Sequence, residues 1–165
     1  MINLENETEE VQRLFGSPRL QIELVPKTCW FSNVRDRVSQ QDWDALRKAT
    51  YQKAGYVCEI CGGRGSKWAV ECHEIWHYDD ESLTQTLKGL IALCPSCHEA
   101  KHLGLAGLRG RGEIAKAHLA EINGWTDEQS ETYCELAWAI WAKRSRYQWK
   151  INLNWLEQFE KESHD

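Results

Sequence analysis

The sequence is poor in several informative features. Among its 165 residues are three prolines and one methionine, and no apolar run approaches the roughly 20 residues that a membrane-spanning helix needs. Its first ten residues, MINLENETEE, are acidic and lack the apolar stretch of a secretory signal. These absences argue against a helical membrane protein and lead us to expect a cytoplasmic protein with no membrane partner.

An excess of basic residues is also lacking. The formal net charge is −5, whereas nucleic-acid-binding proteins usually carry a positive surface. Two segments, residues 101–111 and 143–150, are nevertheless locally basic, because each contains several Lys or Arg and no acidic residue. Such local strips can still hold a phosphate backbone. The candidate nucleic-acid contacts are therefore Lys101, Arg109, Arg111, Lys143, Arg144 and Arg146.

Local patterns predict a mixture of helices and strands. Residues 39–55 and 126–146 have apolar residues at helical spacing, and Thr126 is a plausible N-cap. Residues 19–25 and 147–153 alternate as strands do. We expect these two strands to pair with each other.

Cysteine, by contrast, is abundant. Seven are present, and in a reducing compartment metal ligation explains them better than disulfide bonds. Four form two C-x2-C pairs, Cys58 with Cys61 and Cys94 with Cys97, separated by 32 residues. Two such knuckles complete the tetrahedron that Zn²⁺ prefers. We predict a structural zinc on these four thiols; the alternative is four buried cysteines without a metal.

Histidines lie within and just beyond this cysteine frame. His73 is on a strand-like segment between the two knuckles, and His98 and His102 follow the second knuckle, four residues apart. On a helix that spacing places both rings on one face, as a metal clamp requires. Because folding the knuckles together carries the strand over the helix, we expect three convergent imidazoles at a second, open metal site.

The segments CEICGG, ECHEIW and GLIALCPSCHEAKH together resemble the HNH endonuclease family, especially members stiffened by a four-cysteine zinc. The similar region runs from about Cys58 to Gly104. The resemblance implies an α+β protein with a ββα-metal core, in which a hairpin and a helix hold one catalytic divalent ion. Flanking helices and a small terminal β pairing would surround this core.

Chain length and composition, together with this resemblance, predict a domain organisation. We expect residues 1–18 to form a flexible acidic N-terminus and residues 19–165 to form a single domain. Within it we expect the HNH zinc core at 56–106 and a helical and strand extension at 112–156.

The resemblance also implies roles for individual residues. His73 matches the general base, and Cys72 falls on the preceding metal-ligand position. His98 and His102 match the histidines of the helix, which complete the site of the catalytic ion.

Gly89 departs from the family pattern. It stands where the family has an asparagine that orients the base, and glycine has no side chain to fix an imidazole tautomer. Glu71, Glu74 or His77 would have to substitute for it. A thiolate at Cys72 would favour Zn²⁺ or a similar transition metal over Mg²⁺.

The implied activity is metal-dependent hydrolysis of phosphodiester bonds in DNA. Its cofactors would be a structural Zn²⁺ and a second divalent ion, either Mg²⁺, Mn²⁺, Ni²⁺ or Zn²⁺. The alternative is a catalytically impaired HNH-like zinc module that binds DNA or protein, which Gly89 and the net charge of −5 favour. A hydrolase for another substrate is a third hypothesis, and a protein partner or a homodimer stays open.

Overall fold

Helices surround one small sheet in the described residues, 2–30 and 33–162, of this computed structural model. The α-helices are α1 (Glu5–Phe15), α2 (Gln40–Lys53), α3 (Pro95–Lys101), α4 (Leu103–Leu108), α5 (Gly112–Asn123), α6 (Asp127–Arg144) and α7 (Glu157–Glu162). The strands are β1 (Glu71–Asp79), β2 (Thr84–Leu93) and β3 (Lys150–Asn152). Short 3₁₀ turns occupy Lys27–Cys29 and Asn154–Leu156. The fold class is α+β, as the sequence predicts.

The sheet has the strand order β1-β2-β3. β1 and β2 form an antiparallel hairpin that places His73 opposite Ile91, with an irregularity between Ile75 and Trp76. β3 lies parallel to β2, with Ile151 beside Gln85. The hairpin followed directly by α3 gives the ββα order expected for the core.

The prediction of a strand at residues 19–25, paired with 147–153, is wrong. The first segment has no regular secondary structure, and the second contributes β3 to the edge of β2. The physical reason lies in the partners of its backbone: Leu20 N donates to Asn123 Oδ1 at 3.1 Å, and Ile22 N donates to Tyr133 Oη at 3.3 Å. Because side chains of other elements take these groups, no partner strand is needed.

Helix α6 begins where local chemistry predicts. Thr126 Oγ1 accepts from Gln129 N at 3.1 Å, and Gln129 Oε1 accepts from Thr126 N at 2.9 Å, which forms a capping box. The preceding helix, α5, ends at Gly124, whose φ of 67° suits glycine. These signals set where α5 ends and where α6 begins.

The N-terminal residues, expected to be flexible, include helix α1. Phe15 at its end packs against Trp125 and Tyr133, with ring centroids 4.9 and 5.4 Å away. Leu4, just before the helix, is buried. The segment therefore has apolar contacts with the body of the protein.

Two apolar clusters hold the hairpin from different sides. One contains Leu93 together with buried residues of α3, α5 and α6. The other contains Val34, Trp43 and Leu87. Together they hold the hairpin beside α3, where His73 lies near His98 and His102. In residues 2–30 and 33–162, no helix combines the length and apolar character that crossing a bilayer requires.

Candidate active site

The four cysteines of the two knuckles come together. Their sulfur atoms all lie within 4.8 Å of one another, and the sulfurs of Cys61 and Cys94 are 3.7 Å apart. Backbone N–H groups point at these sulfurs: Cys97 N is 3.4 Å from Cys94 Sγ, and Gly63 N is 3.3 Å from Cys61 Sγ. Four thiols converging on one point, with N–H donors behind them, are compatible with zinc binding.

The electrostatics of this cluster favour a cation. Burial alone would raise the pKa of Cys58, but backbone hydrogen bonds from Cys61, Cys94 and Ile60 outweigh it and lower the pKa to about 7. Burial raises the pKa of Cys97, and the charges of Cys58 and Cys94 raise it further. A divalent ion would offset this repulsion, so the donor set fits Zn²⁺.

His118 also reaches this cluster. It is on α5, and its Nε2 lies 3.2 Å from Cys97 Sγ. The sequence pattern of a helix face gave no sign of this contact, because α5 packs on α3 only in the folded chain. An imidazole at this distance can donate a hydrogen bond to a metal-bound thiolate.

Three histidines form a second cluster about the end of α3. Ring centroids are 5.2 Å apart for His73 and His98, 5.1 Å for His73 and His102, and 4.8 Å for His98 and His102. One nitrogen of each lies within 4.8 Å of the others. His102 is not within the helix as expected but just after it, where its N–H still donates to His98 O at 3.2 Å.

Burial favours the neutral form of His98 and of His102. It lowers the pKa of His102 to about 3, with the neighbouring His98 and His73 adding to the effect. It also lowers the pKa of His98, against the opposing hydrogen bond of Glu71, whose Oε1 is 3.0 Å from His98 Nδ1. A neutral imidazole offers the lone pair that a metal needs. The Glu71 carboxylate orients His98 in the manner typical of metal-binding histidines.

Glu23 contacts His73, and sequence reasoning missed it. Its Oε2 forms a hydrogen bond with His73 Nε2, and its Oε1 accepts from Lys101 Nζ at 3.2 Å. Burial would raise the pKa of Glu23, but the hydrogen bond with His73 and the charge and hydrogen bond of Lys101 hold it below its ordinary value. No local signal could have revealed this pair, because 50 residues separate its members.

The carboxylates expected to support His73 lie elsewhere. Glu71 contacts His98 and accepts from Trp68 Nε1 at 3.1 Å. Glu74 accepts from Val34 N at 2.9 Å and from Trp76 Nε1 at 3.2 Å.

Two other residues of the hairpin bear on the missing asparagine. His77, named above as a possible substitute for it, is exposed. Gly89 faces Trp155, whose ring would lie 3.8 Å from an added Cβ.

Cys72 is separate from the histidine cluster, which corrects the expectation of a thiolate ligand there. Adjacent residues of a strand point to opposite faces, so Cys72 packs with Trp43 and Leu87 while His73 faces α3. Burial raises the pKa of Cys72 to about 11. The thiol is therefore protonated at neutral pH and is not part of the histidine site.

The six candidate nucleic-acid contacts differ in their exposure and in their ion pairs. Lys101 is 6% exposed and donates to Glu23 and Gln21, so the expectation that it faces a phosphate backbone is wrong. Arg111 pairs with a carboxylate of its own chain, as do Lys143 and Arg144; the partners are Glu99, Glu7 and Asp80 respectively. Arg109 and Arg146 are exposed.

A cleft of about 1070 Å³ opens beside the three histidines. Its walls include Trp30, Leu105, Trp138 and Trp141. His73, His98 and His102 are all among the residues that line it.

The region that contains the cysteine and histidine clusters matches a known protein family. Residues 58–104 match the family model described as HNH endonuclease. This segment is an HNH domain. It contains both knuckles and all three clustered histidines, and it covers fewer than half of the chain's residues. No curated protein and no solved structure matches the chain.

Proposed function

We propose that the protein is a metal-dependent endonuclease that hydrolyses phosphodiester bonds in DNA in the cytoplasm. One observation carries this proposal: within the HNH domain, His73 of β1 and His98 and His102 of the α3 end converge at a cleft. Imidazoles from a strand and from the end of a helix suit both proton transfer and metal binding.

The metal ions have separate roles in this proposal. A structural Zn²⁺ would be held by Cys58, Cys61, Cys94 and Cys97 and would fix the hairpin against α3. His98 and His102 would hold a second divalent ion. When bound, that ion would supply positive charge to offset the negative charge on the phosphate and the leaving oxygen.

His73 acts as the general base. Its Nδ1 is buried and has no hydrogen-bond partner among the described residues. Nδ1 takes a proton from water, the resulting hydroxide attacks phosphorus in line, and the P–O3′ bond breaks. The 3′ oxygen leaves as an alkoxide and takes a proton from solvent water. General-base removal typically costs about 10²- to 10⁴-fold in rate.

Plasmid nicking tests the proposal. Supercoiled DNA is incubated with the protein and with Mg²⁺, Mn²⁺, Ni²⁺ or Zn²⁺ separately, and open-circle and linear products are quantified. We expect cleavage with at least one ion and a loss of about 100-fold or more in His73→Ala. His77→Ala is the matched control, because His77 is an exposed histidine of the same strand. Equal cleavage rates in wild type and His73→Ala would exclude His73 as the general base.

A non-catalytic zinc module is the competing function, since Gly89 replaces the implied asparagine and the net charge is −5. It predicts no cleavage with any ion but a salt-sensitive gel shift with DNA, or binding to protein instead. Cleavage abolished by His73→Ala contradicts it.

A further inference from the structure

We infer that Glu23 is the positioning residue of His73, holding its imidazole in one tautomer and one orientation in place of the asparagine that Gly89 replaces. The inference rests on the proposed function, because it assigns a role to a residue next to the proposed base. Glu23 lies outside the HNH domain, 35 residues before its first cysteine at position 58.

The hydrogen bond between Glu23 and His73 fixes the tautomer. An ionised carboxylate only accepts hydrogen bonds, so His73 Nε2 must carry the proton that Glu23 Oε2 accepts. The other nitrogen, Nδ1, then has a free lone pair, and it is the atom without a partner among the described residues. A general base requires that arrangement: one nitrogen held and the other free.

Lys101 holds both the side chain and the backbone of Glu23. Its carboxylate accepts from Lys101 Nζ at 3.2 Å, and its backbone N–H donates to Lys101 O at 3.0 Å. Lys101 Nζ also donates to Gln21 O at 3.2 Å, and the lysine is buried. The extended segment around Glu23 is thus fastened to the C-terminal end of α3, the helix that carries His98.

Other nearby carboxylates do not compete for this role. Glu71 contacts His98, and Glu74 contacts Val34 and Trp76. In the described part of the chain, Glu23 is the carboxylate bonded to His73.

The test compares Glu23→Gln and Glu23→Ala with wild type in the full chain. Glutamine has the same size, but its amide can donate as well as accept and so does not enforce one tautomer. We expect the single-turnover nicking rate at saturating protein to fall by about 100-fold or more in both variants. The dissociation constants for DNA, from gel shifts, and for Mn²⁺, from calorimetry, should stay within about threefold.

Imidazole NMR gives a readout that does not depend on cleavage. Long-range ¹H–¹⁵N spectra should show His73 as the Nε2–H tautomer in wild type and as a mixture in Glu23→Gln. Glu131→Gln is the control, since Glu131 pairs with Lys116 on the surface and does not contact His73. Glu23→Asp, which keeps the charge on a shorter side chain, should recover part of the rate.

The outcomes separate the two proposals. An active wild type with unchanged Glu23 variants overturns the positioning role. A tenfold or greater loss of Mn²⁺ affinity in both variants would make Glu23 a metal ligand and also overturn it. If wild type is inactive with every ion, the proposed function fails, and the NMR spectra still decide whether Glu23 sets the His73 tautomer. An unchanged tautomer in Glu23→Gln then contradicts the inference.

Discussion

At the scale of single residues, each candidate site of the HNH domain receives a side chain from outside the domain. Glu23, before it, contacts His73, and His118, after it, contacts Cys97. Both contacts are to a residue with a proposed metal or catalytic role. The groups behind a site's ligands commonly set their orientation and charge.

His118→Ala should weaken zinc retention. The imidazole lies 3.2 Å from Cys97 Sγ, where a donated hydrogen bond would stabilise the thiolate charge. Outer partners of this kind typically contribute about 10- to 100-fold in metal affinity. Competition with a chromogenic zinc chelator measures the effect.

The matched control for that experiment is His77→Ala, which removes an exposed histidine. It should retain zinc as wild type does. Equal zinc affinities in His118→Ala and wild type would show that the contact with Cys97 has no energetic role.

Residue-level prediction from sequence succeeded where spacing itself encodes geometry. The C-x2-C pairs indicate a thiol cluster because two residues between cysteines allow both sulfurs to reach one point. The prediction that Cys72 is a ligand of the catalytic ion was wrong, because adjacent residues of a strand point to opposite faces and Cys72 therefore points away from His73. Glu23 could not be found, because its contact with His73 depends on how distant segments pack.

At the scale of elements, α6 is the longest helix of the described residues, and it contacts both α1 and the extended segment around Ile22. Its cap at Thr126 sets its start, and Tyr133 within it both packs on Phe15 and accepts from Ile22 N. The segment that carries Glu23 is therefore tied to α6 as well as to α3. Stability of α6 thus bears on the geometry of the site.

Thr126→Ala should lower the free energy of unfolding by about 1 kcal/mol, because it removes an N-cap acceptor that Gln129 N uses. Urea denaturation followed by circular dichroism measures the change. Thr132→Ala is the control: this threonine is inside α6 and donates to Glu128 O, so its replacement removes no cap and should change stability by less than about 0.5 kcal/mol.

Elements with strong local signals could be predicted, and their pairing could not. The sequence-based helices at 39–55 and 126–146 correspond to α2 and α6, because caps and apolar spacing act within one or two turns. Residues 150–152 form a strand as expected, but their partner is β2. Alternation alone indicates that a segment is extended and does not identify its neighbour.

At the scale of the whole molecule, the cysteine cluster lies within the larger apolar cluster. Cys58, Cys94 and Cys97 are among its buried members, beside Leu93 and Leu119. A metal there would join β2, α3 and the knuckle before β1 at the centre of the core. We therefore propose that zinc binding and folding of the chain are coupled.

Removing zinc should destabilise the whole protein. Structural zinc sites contribute about 10–16 kcal/mol of apparent binding free energy in small domains, which rivals the roughly 5–15 kcal/mol that keeps most proteins folded. Treatment with a strong chelator should abolish cooperative thermal unfolding measured by circular dichroism.

Restoring one equivalent of Zn²⁺ should bring that transition back. A chelated, metal-free protein that unfolds at the same temperature and with the same cooperativity would contradict a structural role for the ion.

The contacts of Glu23 and His118 have a consequence for transplanting the HNH domain. Residues 58–104, grafted into another scaffold, would bring every thiol and imidazole of the two clusters and leave both flanking contacts behind. A host that accepts the graft would need its own carboxylate for one histidine and its own donor for one sulfur.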